Sequence, residues 1–322
     1  MAAVENAPVA TDVGAAREVL ARQVPDLRVE SIEALGDGWD HVAYLVNEQF
    51  VFRLPWELVE DDDAPLPPRH AEREARLLEA VRGRLPVAVP EPVFVATDGN
   101  FFGYPYLAGL SIADRLDVWV DPRKQASLAS LVVDVAVAIE AAVPVEMARG
   151  LGLDVVDRPD DILRSAVAGL EASLLSSTAR AAAEAAIATY AERWEAAGAS
   201  RQATLHADLG LDHWLIDVDG RVYALIDWSD ACVAPPEHQL STLMWDLPPL
   251  AGKAAAAYEA RTGRDIDDEL ILADGCLNAL GDLGELLEEG DDAGVSRCLT
   301  FLETWTSVDS LRTAFPPRPR RH

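Results

Sequence analysis

The stretch 204–231 constrains this chain more than any other. An apolar lead-in delivers His206-Ala207-Asp208, a short loop follows, and an apolar strand runs to a reversing turn at Asp219-Gly220. A second apolar strand, Val222 to Ile226, carries Asp227 at its end. Both strands read as buried. An acid emerging from a buried strand end must meet a cation, a proton or water. Two carboxylates presented from the ends of a hairpin, beside an imidazole, suit phosphoryl transfer. One orients a hydroxyl and the other holds magnesium against the phosphates. Scattered acids on a polar hairpin would be the plainer reading in so acidic a chain, and the apolar strands argue against it.

With 322 residues the chain can bury a large core and suits two lobes. Half of its residues are apolar and its mean hydropathy is near zero, which predicts a soluble globular protein. No apolar run reads as long enough to span a bilayer, and Met1 to Asp12 lacks the pattern of a signal peptide. Cys232, Cys276 and Cys298 have no C-x-x-C spacing. They read as reduced core thiols of a cytoplasmic protein. A net charge of −28 argues against nucleic acid and anionic membranes as partners and favours a cationic small substrate. A monomer is expected.

Along the chain, 12–23 reads as an amphipathic helix and Leu27 to Leu35 as a strand. A turn at 36–40 carries Gly36 and Gly38. Strands Val42 to Val46 and Phe50 to Leu54 follow, the latter carrying Arg53. An acidic, proline-rich loop precedes a helix over 69–84, and Val93 to Ala96 pairs with Phe101 to Leu107. This makes a five-stranded antiparallel sheet with one internal helix by residue 107. Beyond Gly109 the pattern is helical: 125–142, 160–174, 179–197, 236–247, 252–261, 267–289 and 292–313, interrupted by the hairpin. The expected class is α+β, with an N-lobe over 1–107 and a helical C-lobe over 108–322.

His206, Asp208 and Asp227 match the catalytic loop and metal-binding aspartate of protein kinases, and the chain resembles the antibiotic phosphotransferases. Leu-Ile-Asp227-Trp228-Ser229-Asp230-Ala231 is closest to the wording of the macrolide members. The resemblance implies a bilobal kinase-like fold and an Mg²⁺-dependent kinase using ATP or GTP on a small cationic antibiotic. It makes Asp208 the group that orients the acceptor hydroxyl, His206 a shaper of the loop, and Asp227 a magnesium ligand. It places Gly36 and Gly38 by the phosphates, pairs Arg53 with Glu74 rather than Glu72, and puts a purine against Tyr104, Tyr106 and Leu107.

Two positions depart from the common pattern. His213 stands where asparagine is usual in aminoglycoside kinases and where macrolide kinases carry histidine. It is a candidate to bind the metal directly, act through water, or contact a phosphate when protonated. Gln239 occupies a position where an aspartate usually braces the catalytic loop, and it brings no charge. In helix 267–289, Leu280, Leu283 and Leu287 form an apolar stripe, and Asp274, Asn278, Asp282, Glu285 and Glu289 an acidic one that could receive an amine. An aminoglycoside or an amino-sugar or amino-alcohol metabolite is the alternative acceptor. A non-catalytic nucleotide-binding scaffold is the alternative of another class.

Overall fold

A computed structural model describes residues 13–37, 41–56, 70–156, 160–197, 201–245, 247–305 and 314–315. The chain divides into two compact units, residues 1–82 with 88–108, and residues 83–87 with 109–322.

The first unit comprises α1 (Val13–Gln23), β1 (Ile32–Asp37), β2 (His41–Val46), β3 (Phe50–Pro55), α2 (His70–Val81), β4 (Phe94–Val95) and β5 (Phe102–Pro105). The strands form one antiparallel sheet in the order β1-β2-β3-β5-β4. Ala16, Val19 and Leu20 recur at helical spacing on α1 and pack with Val42, Tyr44, Phe52, Leu54 and Phe101 as a buried core. The expected first strand starts five residues late, at Ile32, and it runs on through Gly36 to Asp37. A register shift between Ala34 and Gly36 absorbs the irregularity, so Gly36 lies in a strand end rather than a turn. Gly38 lies outside the described residues.

The second unit begins with β6 (Leu110–Ser111), α3 (Leu116–Trp119), α4 (Pro122–Ala142), α5 (Val145–Leu151), β7 (Asp154–Val155), α6 (Asp160–Ala172) and α7 (Ser177–Ala197). It continues with β8 (Ala203–Leu205), β9 (Trp214–Ile216), β10 (Val222–Leu225), β11 (Cys232–Ala234), α8 (Glu237–Ser241), α9 (Pro248–Thr262), α10 (Asp268–Glu289) and α11 (Asp292–Trp305). Asp267 caps α10 by accepting from the Glu269 and Leu270 amides, and Gly290 ends it in a left-handed conformation. The helix read over 236–247 is shorter: α8 gives way to a tight 3-10 turn, Thr242–Met244. By length and composition α4 could cross a membrane, contrary to the sequence reading. Half of it is buried, and Leu128, Val132, Val135, Ala136 and Ile139 face the core where α4 packs against α9.

Two small sheets position the loop. β10-β9-β6 contains the hairpin, and β7-β11-β8 ties the residues before His206 to those after Asp227. Cys232 pairs with Leu205 and Val233 with Thr204, so the two ends of the 206–231 segment are held together by backbone hydrogen bonds. All three cysteines are buried, and none forms a disulfide among the described residues.

Candidate active site

The hairpin forms as its sequence predicts. Leu225 pairs with Trp214 and Val222 with Ile216, and the turn closes through Gly220 N–H donating to the Asp217 carbonyl at 2.9 Å. Gly220 takes φ +74°, which a side chain would resist. The Asp217 carboxylate accepts from the Asp219 and Arg221 amides, each at 2.9 Å, and so fixes the turn from within.

At the other end two residues adopt left-handed backbone, Ala207 at φ +69° and Asp227 at φ +63°. For a non-glycine residue that conformation is costly, and such strain clusters at functional sites. The surroundings that sustain it are specific. His206 is fully buried, packs edge-on to Trp228 at 4.6 Å, and has Nε2 at 3.1 Å from the Ile226 carbonyl. Its Nδ1 accepts from the Asp208 amide at 3.3 Å. These partners require the Nε2–H tautomer. Burial, with His213 nearby, pushes the His206 pKa down to about 3, so the ring is neutral at ordinary pH. It is a structural link between loop and strand end, its one N–H directed to the Ile226 carbonyl.

Asp208 projects beyond this link. Its Oδ1 accepts from the Gly210 amide at 3.1 Å, and its Oδ2 lies 3.3 Å from His213 Nδ1. A Cβ at Gly210 would sit 2.6 Å from the carboxylate of Asp212, an exposed side chain that would have to turn aside, and 3.2 Å from Asp208 Oδ1. His213 Nε2 faces Asp227 Oδ2 at 3.5 Å and Asp212 Oδ2 at 3.6 Å. Asp227 Oδ1 accepts from the Ser229 hydroxyl at 2.9 Å. The His213 side chain is only 14% exposed, whereas Asp208 and Asp227 keep 33% and 31%, so both carboxylates remain reachable. Burial pulls the His213 pKa down, but Asp208, Asp212 and Asp227 outweigh it and the net shift is upward. Burial raises the Asp208 pKa, and His213 and the Gly210 amide oppose that rise.

Asp227 offers the carboxylate oxygen that suits a hard cation such as Mg²⁺, whereas the imidazole of His213 3.5 Å away is a softer donor. Among the described residues no group of three or more His, Cys, Asp or Glu forms a ready metal cage. Magnesium commonly takes one or two protein carboxylates and completes its shell with phosphate and water.

In the first unit Arg53 Nη1 lies 3.4 Å from Glu74 Oε1, both largely buried, while Glu72 pairs with Arg76 one turn along the same helix. This geometry separates the two glutamates that the sequence presents side by side. Tyr104 is buried on β5, and Tyr106 is exposed, with its amide donating to the Gln49 carbonyl at 2.7 Å. Leu107 is half-buried.

The acidic stripe on α10 does not form one open face. Asp274 is fully buried, with Oδ2 2.8 Å from His238 Nδ1 and accepting from the Ser241 hydroxyl at 2.9 Å. Asp282 is half-buried, and Glu285 and Glu289 are exposed. Leu280 and Leu283 are core residues, but Leu287 is exposed near the helix end. Burial raises the Asp282 carboxyl to about 7, with further push from Glu285 and Asp208, so Asp282 lies within electrostatic reach of Asp208. Gln239 is buried, and its amide oxygen and nitrogen have no hydrogen-bond partner among the described residues, so it does not brace the loop. Two residues that the sequence reading gave no role do hold the loop. The Trp214 indole donates to the Leu209 carbonyl at 3.1 Å, and the Thr242 hydroxyl accepts from the Leu209 amide at 2.9 Å.

A five-stranded antiparallel sheet, followed by a helical unit carrying this loop and hairpin, is the kinase-like fold. The model of the phosphotransferase enzyme family (APH) matches residues 31–270, and the chain belongs to that family. Among solved structures it is similar to the GDP and kanamycin complex of APH(2")-IIia, at 23% identity and a TM-score of 0.73, covering 89% of this chain and 97% of that one. It is also similar to the macrolide 2'-phosphotransferase MphH from Brachybacterium faecium, at 22% identity and a TM-score of 0.57, covering 96% and 100%. A streptomycin-ATP-APH(2")-IIa ternary complex matches at 14% identity and a TM-score of 0.58, covering 96% and 100%. At these identities the likeness establishes the fold. No protein with a curated description matches the chain.

Proposed function

We propose that this chain is a cytoplasmic, nucleotide-dependent kinase that phosphorylates a hydroxyl of a small cationic antibiotic, a macrolide amino sugar in first place. The carrying observation is Asp208, a reachable carboxylate on a strained loop, joined through His213 to a second reachable carboxylate, Asp227. Asp208 accepts a hydrogen bond from the acceptor hydroxyl and aims its oxygen at the γ-phosphorus. The bond from that phosphorus to the bridging oxygen breaks, a new phosphorus–oxygen bond forms, and the hydroxyl proton passes to Asp208 as the nucleoside diphosphate leaves. Mg²⁺, when bound, neutralises charge on the phosphates, and Asp227 and His213 are the residues that would hold it. Arg53, kept in place by Glu74, grips phosphate oxygens, Gly36 lines the phosphates, and backbone near Tyr104, Tyr106 and Leu107 reads the purine of ATP or GTP.

Asp282 and Glu285 supply the cation subsite. A carboxyl poised near 7 that receives an ammonium group gives up its proton on binding. Acceptor affinity is therefore expected to rise as pH increases through about 7, and Asp282→Asn is expected to flatten that rise. Calorimetric titration of acceptor across that range checks it, and a wild-type affinity that is flat or falls with pH contradicts the assignment.

His213 and the Ile-Asp-Trp-Ser-Asp wording favour macrolides. The kanamycin and streptomycin bound by structural neighbours keep aminoglycosides as the second reading. His213→Asn is expected to retain at least about a tenth of wild-type turnover, and His213→Ala to lose about a hundredfold or more, the scale of one group that contacts charge in the transition state. Full turnover in the alanine variant would remove His213 from the site. A panel of macrolides, aminoglycosides and amino alcohols, assayed by mass spectrometry for one added phosphoryl group, tests the function. Transfer to aminoglycosides alone replaces the acceptor class and keeps the reaction. Nucleotide binding without transfer to any acceptor leaves a scaffold.

A further inference from the structure

We propose that Thr242 positions the catalytic aspartate by clamping the peptide bond between Asp208 and Leu209; the inference rests on Asp208 being the group that orients the acceptor. The amide in that peptide is Leu209 N–H, and it donates to Thr242 Oγ1 at 2.9 Å. The Thr242 hydroxyl gives its own proton to the Gln239 carbonyl at 3.0 Å. A hydroxyl has one proton, so this second bond turns the oxygen lone pairs toward Leu209. A threonine bonding to a carbonyl three residues back is an ordinary local pattern and carries nothing by itself. The bond from Leu209 does, because it arrives from 33 residues away and lands directly beside Asp208.

The other polar groups here are held from within the loop and hairpin, including the carbonyl of the same peptide, Asp208 O, which lies 3.4 Å from His213 Nδ1. On the N-terminal side, the Asp208 amide is held by His206 Nδ1. On the C-terminal side, the Leu209 carbonyl is held by the buried Trp214 indole. Asp208 itself uses Oδ1 on the Gly210 amide. Among the described residues, Thr242 is the group that reaches this peptide's N–H from outside the loop and hairpin. The strained Ala207 immediately before Asp208 gives the loop a reason to relax if that hold is lost. The neighbouring Gln239, whose side chain makes no hydrogen bond among the described residues, leaves the bracing to the hydroxyl three residues on. The brace is therefore neutral and comes from the 3-10 turn after α8.

Thr242→Val keeps the shape and removes the acceptor. With ATP or GTP, Mg²⁺ and erythromycin as the acceptor probe, kcat is expected to fall about ten- to a hundredfold while both KM values stay within about twofold. Thr242→Ser is expected to keep at least half of wild-type kcat, and Gln239→Leu to leave it unchanged. In parallel, amide hydrogen exchange by NMR is expected to show Leu209 exchanging at least about tenfold faster in Thr242→Val, without acceptor present. Should the valine variant not fold, Thr242→Cys, with a much weaker acceptor, is read in the same way. Unchanged kcat together with an unchanged Leu209 amide overturns the proposal, as does a serine variant as impaired as valine. An inactive wild-type chain, or an Asp208→Asn variant with full turnover, overturns the reading of Asp208 instead. The Leu209 exchange still decides whether Thr242 holds the loop.

Discussion

Asp208→Asn is expected to fold normally, bind nucleotide with near wild-type affinity, and turn over about two to four orders of magnitude more slowly. The substitution is nearly isosteric, and the asparagine side-chain oxygen can still accept from the Gly210 amide, so the loop keeps its course. It loses the charge that draws the acceptor hydroxyl into line and takes its proton. The raised Asp208 pKa adds a second readout. Wild-type kcat/KM should climb with pH as the carboxyl ionises, through a midpoint above the ordinary aspartate range, and the residual activity of the variant should lose that step. Stopped assays with product detection across pH check both. Retention of more than half the activity contradicts the role.

Asp227→Asn is expected to have an effect at least as large, about three orders of magnitude or more in turnover, with Mg²⁺ affinity in the nucleotide complex lost in step. Asparagine is the informative replacement because residue 227 sits at φ +63°, a conformation that asparagine tolerates and alanine resists. The change then removes a charged oxygen without adding backbone strain. Thermal melting should move little, and metal titration with the nucleotide analogue bound should show weak or no saturation. Unchanged Mg²⁺ affinity would assign the metal elsewhere.

The hairpin could be read from sequence because its signals are local: apolar strands of matched length, an Asp-Gly turn, and acids where the strands stop. The sheet of the first unit was legible for the same reason, apart from β1, which starts late at Ile32 and near its end carries a shift at Ala34–Gly36 that breaks strict alternation. The Arg53–Glu74 pair followed only from family spacing, since Glu72 and Glu74 lie on one short helix and composition does not separate them. What the sequence concealed depends on contacts across long separations. β7, β8 and β11 are two or three residues each, too short to show periodicity, yet they hold the ends of the catalytic segment together. The acidic stripe on α10 is real as a pattern along one helix. What covers it is decided by α8, whose His238 and Ser241 bury Asp274. Bracing by Thr242 and silence at Gln239 were likewise invisible, because one residue's hydroxyl and its neighbour's amide differ only in where the turn after α8 points them.

A single transfer experiment tests the proposed reaction most directly. The chain is incubated with nucleotide labelled in the γ-phosphate, Mg²⁺ and a macrolide, and both the label and the acceptor mass are followed. The expected result is metal-dependent loss of label from the nucleotide, matched one for one by a phosphoryl group on an acceptor hydroxyl. Label that stays on the nucleotide with macrolides, aminoglycosides and amino alcohols alike, in a chain that binds nucleotide and Mg²⁺, would contradict it.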